Sequence, residues 1–285
     1  MTQSPLVTQA DVARTWPRPG ASDDKYSRGV LGIVAGSDAY PGAAALVSNA
    51  AVRAGAAFVR YVGPRRAQDL VLARHPEVVA YTSATATAKL PRCQAWVVGP
   101  GVAEDADQDA VIAAVALSGL PIVVDAGALE SIALTRAAGN HTARADQVLM
   151  TPHVNELVVT LRALRHDVTV ADVQRDREGH ARLLAEATHT TVLLKGSRTI
   201  VVSPGGAIAT LAEATPWLAT AGSGDTLAGI AGALLASGLT AADAGTSAAW
   251  IHAHAGARAS GGGPVSALDV ADMVPGIIAE VLTVD

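Results

Sequence analysis

Short runs rich in valine, isoleucine and leucine alternate with longer alanine-rich segments along most of this chain. The short runs have the length of buried strands and occupy residues 30–35, 58–62, 96–98, 121–124, 148–150 and 192–195. Between them, segments such as 42–55, 105–118 and 154–164 have the length and periodicity of helices. Because strands that alternate with helices form a mostly parallel sheet covered on both faces, we expect a three-layer αβα sandwich of the α/β class.

The pattern changes after the last of these strands. Two closely spaced strands, 199–202 and 207–211, are joined through Ser-Pro-Gly-Gly, which predicts an antiparallel hairpin near one edge of the sheet. Helices then complete the chain from Asp225 onward, and the glycine triplet 261–263 is typical of a turn that ends a helix.

Composition indicates one domain with an aliphatic core. The chain has 285 residues, of which 50% are apolar but only 3% are aromatic, so the core must be built from alanine, valine, leucine and isoleucine. No proline- or serine-rich linker divides the middle of the sequence, which favours a single domain over two smaller ones.

Charge and cysteine content restrict the classes of partner and compartment. The net charge is −5 with an isoelectric point near 5.9, and no Lys/Arg run is present, which argues against nucleic acid or a membrane as partner. Cys93 is the single cysteine, so an intrachain disulfide and a CxxC redox motif are excluded and a reducing compartment is indicated. Residues 1–28 lack the apolar region of a signal peptide, so we expect a cytoplasmic protein.

The segments that follow the predicted strands are rich in small residues. Ligands of open α/β sheets bind outside the carboxyl ends of the strands, so a site is expected among these segments. A single glycine is explained by a turn, and His153 with Glu156 by helix capping, but their occurrence at one edge of the sheet indicates a shared ligand. The segments are AGSDAYPGAA at 35–44, GPG at 99–101, DAGAL at 125–129, TPHVNEL at 151–157 and KGSRT at 195–199.

The segment LATAGSGDTLAGIAG at 218–232 gives the strongest indication of chemistry. It is typical of a small-residue loop that leads into a helix, where unpaired N–H groups and the helix dipole favour an anion. Gly222, Ser223 and Gly224 allow the backbone to approach a phosphate closely. The Asp225 carboxylate repels a phosphate, so its presence predicts a base toward a hydroxyl that attacks that phosphate. Helix capping without chemistry is the alternative interpretation.

Lys195 is one of only three lysines and ends an apolar strand, where an unpaired charge is unfavourable, so a phosphate or carboxylate partner is expected. His252 and His254 are two residues apart on a predicted helix and face apart, which argues against a metal pair and predicts core or surface histidines. The chain has no GxxxxGK[ST] loop, no GxGxxG after its first strand and no GxSxG elbow, which weakens P-loop, Rossmann and α/β-hydrolase interpretations.

Taken in order, these motifs resemble a known family. GSGD with its helix is similar to the GAGD anion-hole motif of ribokinase-like kinases, whose Asp is the catalytic base. AGSDAYPGAA, GPG, DAGAL, TPHVNEL, LLKGSRT and LATAGSGDTLAGIAGALLASG together resemble the NAD(P)H-hydrate dehydratases, from about residue 26 to residue 257. Those enzymes repair hydrated, inactive NADH and NADPH by using ADP in bacteria, or ATP in animals and fungi, to phosphorylate and then eliminate the added hydroxyl. The resemblance implies a ribokinase-like fold, with one catalytic domain at 26–285 after an N-terminal extension at 1–25.

The resemblance also implies roles for individual residues. Asp225 is expected to be the catalytic base, assisted by Gly222, Ser223 and Gly224. The hydrated dinucleotide is expected to contact Ala43, Gly101, His153 and Asp225. The adenine nucleotide is expected to contact Lys195, Gly196, Ser197, Arg198, Thr199 and Gly224. Asn155 and Glu156 resemble the acidic motif that positions a metal or its water, and Mg²⁺ is expected to bridge the nucleotide phosphates.

On the same basis we expect a homotetrameric hydro-lyase that acts on the S-form of the hydrate and uses ADP, or ATP, as co-substrate. Epimerisation of the hydrate is expected from a separate protein. Ala221, Gly127 and the residues after GPG depart from the family pattern, so the shape of the phosphate loop and of the tip after Asp125 stays open.

Two other functions remain open. A ribokinase-like kinase for a vitamin-precursor alcohol keeps GSGD and Asp225 but releases a stable phosphate ester, and TPHVNEL and YPGAA argue against it. A non-catalytic nucleotide-binding sensor keeps the pocket without turnover, and the intact Asp225 argues against it.

Overall fold

A nine-stranded sheet forms the middle layer of the computed structural model, which describes residues 6–103, 105–140 and 142–283. The strand order is β3-β2-β1-β4-β5-β6-β7-β8-β9. The first seven strands pair in parallel, whereas the last two pair antiparallel at one edge. The strands are β1 (Val30–Val34), β2 (Phe58–Val62), β3 (Val79–Tyr81), β4 (Ala95–Val98), β5 (Ile122–Val124), β6 (Val148–Met150), β7 (Thr191–Leu194), β8 (Ile200–Val202) and β9 (Ile208–Thr210).

Helices cover both faces of this sheet, as the alternating pattern predicts. In chain order they are α1 (Gln9–Thr15), α2 (Pro41–Arg53), α3 (Arg65–Arg74), α4 (Ser83–Ala88), α5 (Ala106–Ala116), α6 (Leu129–Ala137), α7 (Val154–Ala163), α8 (Val170–Arg175), α9 (Arg177–Thr188), α10 (Ser223–Ala236), α11 (Ala241–Ser260) and α12 (Ala267–Leu282). The helices α1 to α3 and α10 to α12 pack into the core on one face, and α4 to α9 pack into the core on the other.

The two cores divide the side chains of each strand between them. In β4, Val97 belongs to one core and Trp96 to the other, because successive side chains of a strand point to opposite faces. Gly32 of β1 makes room for the fully buried Trp96, since a Cβ at this glycine would collide with the indole ring. The prediction of an αβα sandwich with an edge hairpin is therefore confirmed.

The structure differs from the sequence prediction at a few elements. Strand β3 was not predicted, although its sequence Val-Ala-Tyr is apolar; it has only three residues and lies partly exposed at an edge of the sheet. Strand β7 ends at Leu194, so Lys195 lies just beyond it. Helix α10 begins at Ser223, two residues earlier than expected. The described part of the N-terminal segment packs onto the domain, with Val12 and Trp16 buried in the α10–α12 core.

Of the helices in the described part of the chain, none combines the length and apolar character needed to cross a bilayer.

Candidate active site

The loops that follow the parallel strands meet at one edge of the sheet. The N–H of Gly36, after β1, donates to the carbonyl of Pro100, after β4, at 2.7 Å. The N–H of Thr151, after β6, donates to the Val124 carbonyl at the end of β5 (2.9 Å), and the N–H of Lys195 donates to the Pro152 carbonyl (2.9 Å). Backbone hydrogen bonds thus hold the predicted rim segments side by side, as parallel topology requires.

Ala43 and Gly101, two residues expected to contact the dinucleotide, touch across this rim. Gly101 has a φ of +63°, and a Cβ at this position would collide with the Ala43 methyl group. The same Cβ would lie 3.3 Å from the Gly36 Cα. Any side chain at Gly101 would therefore fill the space between the β1 and β4 loops.

The GSGD loop forms the start of α10. Gly222 is the N-cap residue with a φ of +83°, and a Cβ there would collide with the Leu46 side chain, so glycine is required. No side chain among the described residues caps this helix, and Asp225 lies in its first turn. The capping interpretation of GSGD is therefore wrong, and the end of the helix is open to an anion. The Ser223 N–H donates within the loop to the Thr220 carbonyl at 3.3 Å.

Lys195 lies at the centre of a cluster of carboxylates. Its Nζ is 2.7 Å from Asp125 Oδ1 and 3.5 Å from Glu156 Oε2. A Cβ built on Gly224 would lie 3.4 Å from the same nitrogen, so the ammonium group also borders the GSGD loop. Asp125 is 2% exposed and accepts a second hydrogen bond from the Thr151 hydroxyl at 2.8 Å. The predicted phosphate or carboxylate partner of Lys195 is thus a carboxylate pair in this structure.

The protonation of the cluster follows from burial and neighbouring charge. Burial and then the Asp125 carboxylate raise the pKa of Asp225 to about 7, while Lys195 opposes the rise and Glu156 adds to it. Burial disfavours the charge of Lys195, but Asp125 and Glu156 outweigh that effect and raise its pKa above the ordinary value. A carboxylate with a pKa near neutrality, beside a permanently charged ammonium, is suited to accept a proton during a reaction.

His153 and Glu156 cap helix α7 reciprocally. His153 Nδ1 accepts a hydrogen bond from the Glu156 N–H (3.0 Å), and the Glu156 carboxylate accepts one from the His153 N–H (2.7 Å). Because Nδ1 accepts the bond from Glu156, the proton of a neutral His153 imidazole lies on Nε2, and this N–H can donate to a ligand. Asn155, in the same turn, is exposed. Glu156 therefore connects the capping box to Lys195, and the expected ligand roles of His153 and Asn155 stay predictions.

The predicted nucleotide loop, residues 195–199, is held from two sides. The Arg177 guanidinium donates to the carbonyls of Lys195 (3.2 Å) and Arg198 (3.4 Å). From the other side, the Ala214 N–H donates to the Ser197 carbonyl (2.9 Å). Further contacts within and around the loop are an ion pair of Arg198 with Glu213 at 3.7 Å, a hydrogen bond from the Thr199 hydroxyl to the Gly196 carbonyl at 3.4 Å, and one from the Leu211 N–H to the Thr199 carbonyl at 3.0 Å.

Sequence reasoning assigned no role to three residues that shape this site. Asp125 was recognised only as the start of a loop, and Arg177 was not singled out. His252 was expected to be a core or surface histidine, and it is buried in α11, where its Nε2 is 3.1 Å from the Ser223 hydroxyl, beneath the GSGD loop. Burial lowers the pKa of His252 to about 4, so the imidazole is neutral at neutral pH. The sequence of α11, which carries several other polar residues, does not distinguish His252 from them.

Residues 31–274 match a protein family described as NAD(P)H-hydrate dehydratase. The chain belongs to the NAD(P)H-hydrate dehydratase family. Among its relatives, the bifunctional NAD(P)H-hydrate repair enzyme Nnr of Mycobacterium leprae is 43% identical over 268 residues, which cover 94% of this chain and 51% of that protein. The chain thus spans about half the length of this bifunctional relative. An ADP-dependent (S)-NAD(P)H-hydrate dehydratase of Neisseria meningitidis serogroup B is 35% identical over 234 residues, which cover 80% of this chain and 76% of that protein.

Solved structures show that this member of the dehydratase family has a ribokinase-like fold. A Bacillus subtilis ADP/ATP-dependent NAD(P)H-hydrate dehydratase, co-crystallised with ATP/Mg²⁺, superposes with a TM-score of 0.87 at 24% identity, and the match covers 99% of this chain and 100% of that one. A ribokinase-like superfamily protein of Enterococcus faecalis V583 superposes with a TM-score of 0.82 at 18% identity, covering 97% and 95% of the two chains. The predicted family and fold are both confirmed.

Proposed function

We propose that this protein dehydrates the S-form of hydrated NADH and NADPH, with ADP as the phosphoryl donor and AMP and phosphate as products. The observation that carries the proposal is the position of Asp225, a carboxylate with a pKa of about 7 in the first turn of an uncapped helix. Asp225 can accept the proton of a hydroxyl, and the open end of the helix beside it can bind the phosphate that this hydroxyl attacks. Membership of the NAD(P)H-hydrate dehydratase family supports the choice of substrate.

The reaction follows from these groups. Asp225 accepts the proton of the ring hydroxyl while that oxygen forms a bond to the terminal phosphorus of ADP, and the bond from this phosphorus to the AMP oxygen breaks. The Gly224 N–H and the Lys195 ammonium stabilise the negative charge that moves onto the phosphoryl oxygens. The ring nitrogen then assists cleavage of the carbon–oxygen bond, phosphate departs with that oxygen, and loss of a proton from the adjacent carbon restores the double bond.

The carboxylates near Lys195 suit Mg²⁺ that arrives with the nucleotide. Among the described residues, no three His, Cys, Asp or Glu side chains are grouped so that they could hold a metal by themselves. Mg²⁺ commonly takes one or two carboxylates and completes its shell with water and phosphate oxygens, and Glu156 with Asp125, both near Lys195 Nζ, offers such a pair. Glu156, and Asn155 through water, would hold the ion, which supplies neutralisation of phosphate charge when bound.

Assembly and cellular context are further parts of this proposal. We infer a homotetramer in the cytoplasm, consistent with the resemblance and with a single cysteine. The bifunctional name of the Mycobacterium leprae relative supports a functional link to NAD(P)H-hydrate epimerisation.

The direct test is the absorbance of the reduced nicotinamide ring after the protein is mixed with NADH hydrate, Mg²⁺ and either ADP or ATP. We expect the absorbance to rise only when nucleotide is present, and faster with ADP. A flat trace with both nucleotides, from protein shown to be folded, would exclude the dehydratase. Formation of a stable phosphate ester of another alcohol would then identify a kinase.

The pH dependence of turnover provides a test of the Asp225 environment. Because the base must be ionised, we expect kcat/KM of the wild type to rise with pH through about 7, the pKa of Asp225. The substitution Asp125→Asn removes the negative charge that contributes most to raising this pKa, so the rising limb moves to lower pH. The control Thr151→Val removes the hydroxyl that binds Asp125 but keeps its charge, and its profile stays close to the wild type. A limb that stays in place or moves to higher pH in Asp125→Asn contradicts the assignment.

A further inference from the structure

One tryptophan differs from the others in exposure. All four tryptophans lie in the described residues, and Trp16, Trp96 and Trp250 are at most 8% exposed, whereas Trp217 is 44% exposed. A large aromatic ring that remains this open to solvent offers a flat apolar surface to a ligand.

The exposed ring of Trp217 is fixed in place. Its Nε1–H donates to the Gly262 carbonyl at 3.0 Å, just beyond the end of α11. The next residue, Leu218, packs on the same helix, since a Cβ on Gly256 would lie only 2.6 Å from Leu218 Cδ2. The indole is therefore held in one orientation before any ligand arrives, which limits the entropy lost on binding.

Trp217 lies between the two loops that are expected to hold the nucleotide. On one side its segment is bonded to loop 195–199 through the Ala214 N–H and the Ser197 carbonyl, at 2.9 Å. On the other side the chain continues directly into the loop that ends at Gly222. A ligand that contacts both loops thus passes close to this indole.

Helix α11 indicates how far the indole lies from the phosphate end of the site. His252 contacts Ser223 at the GSGD loop, whereas Gly262, ten residues later, contacts Trp217. Helix α11 ends at Ser260, and the eight residues from His252 to that end rise about 12 Å, so the indole is displaced along α11 away from the GSGD loop by roughly that distance. A nucleotide whose phosphates lie between Lys195 and Gly224 can place its base in this direction.

We propose that the exposed face of Trp217 stacks on the adenine ring of the nucleotide co-substrate. The inference rests on the proposed function, since it assumes that the phosphates occupy the GSGD end of the site. Stacking of a purine on an indole is favourable for any orientation of the hydrogen-bonding groups, so it supplies affinity for the base while the loop residues bind the phosphates.

Calorimetry with ADP and with inorganic pyrophosphate, both with Mg²⁺, separates the base from the phosphates. We expect Trp217→Ala to raise the Kd for ADP about tenfold and to leave the Kd for pyrophosphate unchanged. The variant Trp217→Phe keeps an aromatic face and recovers most of the ADP affinity. The control Leu134→Ala removes a similarly exposed apolar side chain (43%) from α6, and its ADP affinity equals that of the wild type.

Tryptophan fluorescence gives a second readout that does not need catalysis. ADP is expected to quench the emission of the wild type, and this quenching is lost in Trp217→Phe although ADP still binds. If Trp217→Ala binds ADP with wild-type affinity, the stacking proposal is wrong. The proposal is also wrong if the variant loses affinity for pyrophosphate as much as for ADP, because Trp217 would then act by maintaining the conformation of the loops. If the wild type binds neither ADP nor ATP, the proposed function fails as well; if it binds ADP and Trp217→Ala binds equally well, only the stacking fails.

Discussion

Asp225→Asn is expected to reduce kcat by about three to four orders of magnitude while ADP and the hydrate still bind. The amide has nearly the shape of the carboxylate but cannot accept the hydroxyl proton, so the loss lies in kcat rather than in KM. The measurement is steady-state turnover together with calorimetric binding of both ligands. A variant with wild-type kcat would remove Asp225 from the role of base.

The same variant is expected to be more stable than the wild type above pH 7. The pKa of Asp225 rises from its ordinary value of 3.8 to about 7 on folding, so the native state holds a proton that the unfolded state releases between these values. Wild-type stability therefore falls as pH rises through this window, and Asp225→Asn gains up to about 4 kcal/mol at pH 8. The matched control is Asp243→Asn in the first turn of α11, where the partly exposed carboxylate accepts a hydrogen bond from the Thr240 hydroxyl, and no such gain is expected. Urea unfolding at pH 5 and pH 8 measures both differences.

Lys195→Ala is expected to weaken the binding of ADP more than the binding of the hydrate. Lys195 Nζ borders Gly224 of the phosphate loop and is also the counter-charge of the buried Asp125. Its removal leaves that carboxylate unpaired, which costs about 3–5 kcal/mol of folding free energy. It also takes away the positive charge that opposes the rise in the Asp225 pKa, so the rising limb of the pH profile moves to higher pH.

Two further variants keep the Lys195 experiment interpretable. Lys89→Ala removes an exposed lysine outside the site, and its ligand affinities are expected to match those of the wild type. If Lys195→Ala does not fold, Lys195→Met combined with Asp125→Asn removes both charges of the pair and avoids the unpaired carboxylate. Calorimetry that shows a larger loss for the hydrate than for ADP would exclude Lys195 from the nucleotide site.

Local sequence patterns predicted most of the fold because each strand and helix carries its own signal. The run of β1 is buried throughout and has no polar side chain, and the Ser-Pro-Gly-Gly turn marks the hairpin of β8 and β9. Edge strand β3 is short and exposed, so its pairing with β2 depends on the sheet rather than on its own composition. The loops at the rim were predicted for the same reason as the strands, since parallel topology places all their carboxyl ends together.

The electrostatic part of the site could not be predicted in the same way. Lys195 was expected to need an anionic partner, but Asp125 lies 70 residues away in sequence and only the order of the strands brings the two together. The contact between His252 and Ser223 likewise depends on how α11 packs on α10. His153 and Glu156 were interpreted both as a cap and as ligands; the structure shows the cap, and the ligand roles stay predictions.

Asp225 and the charged groups that shift its pKa lie in all three layers of the sandwich. Asp225 is carried by α10 on one face and Glu156 by α7 on the other, and Lys195 directly follows strand β7 of the sheet. Charge interactions depend on separation, so a small sliding of either helical layer over the sheet changes the field at Asp225. Substitutions deep in either core, far from any ligand, therefore act on the reaction through the ionisation of its base. The pH dependence of turnover is therefore expected to change whenever a helical layer shifts relative to the sheet.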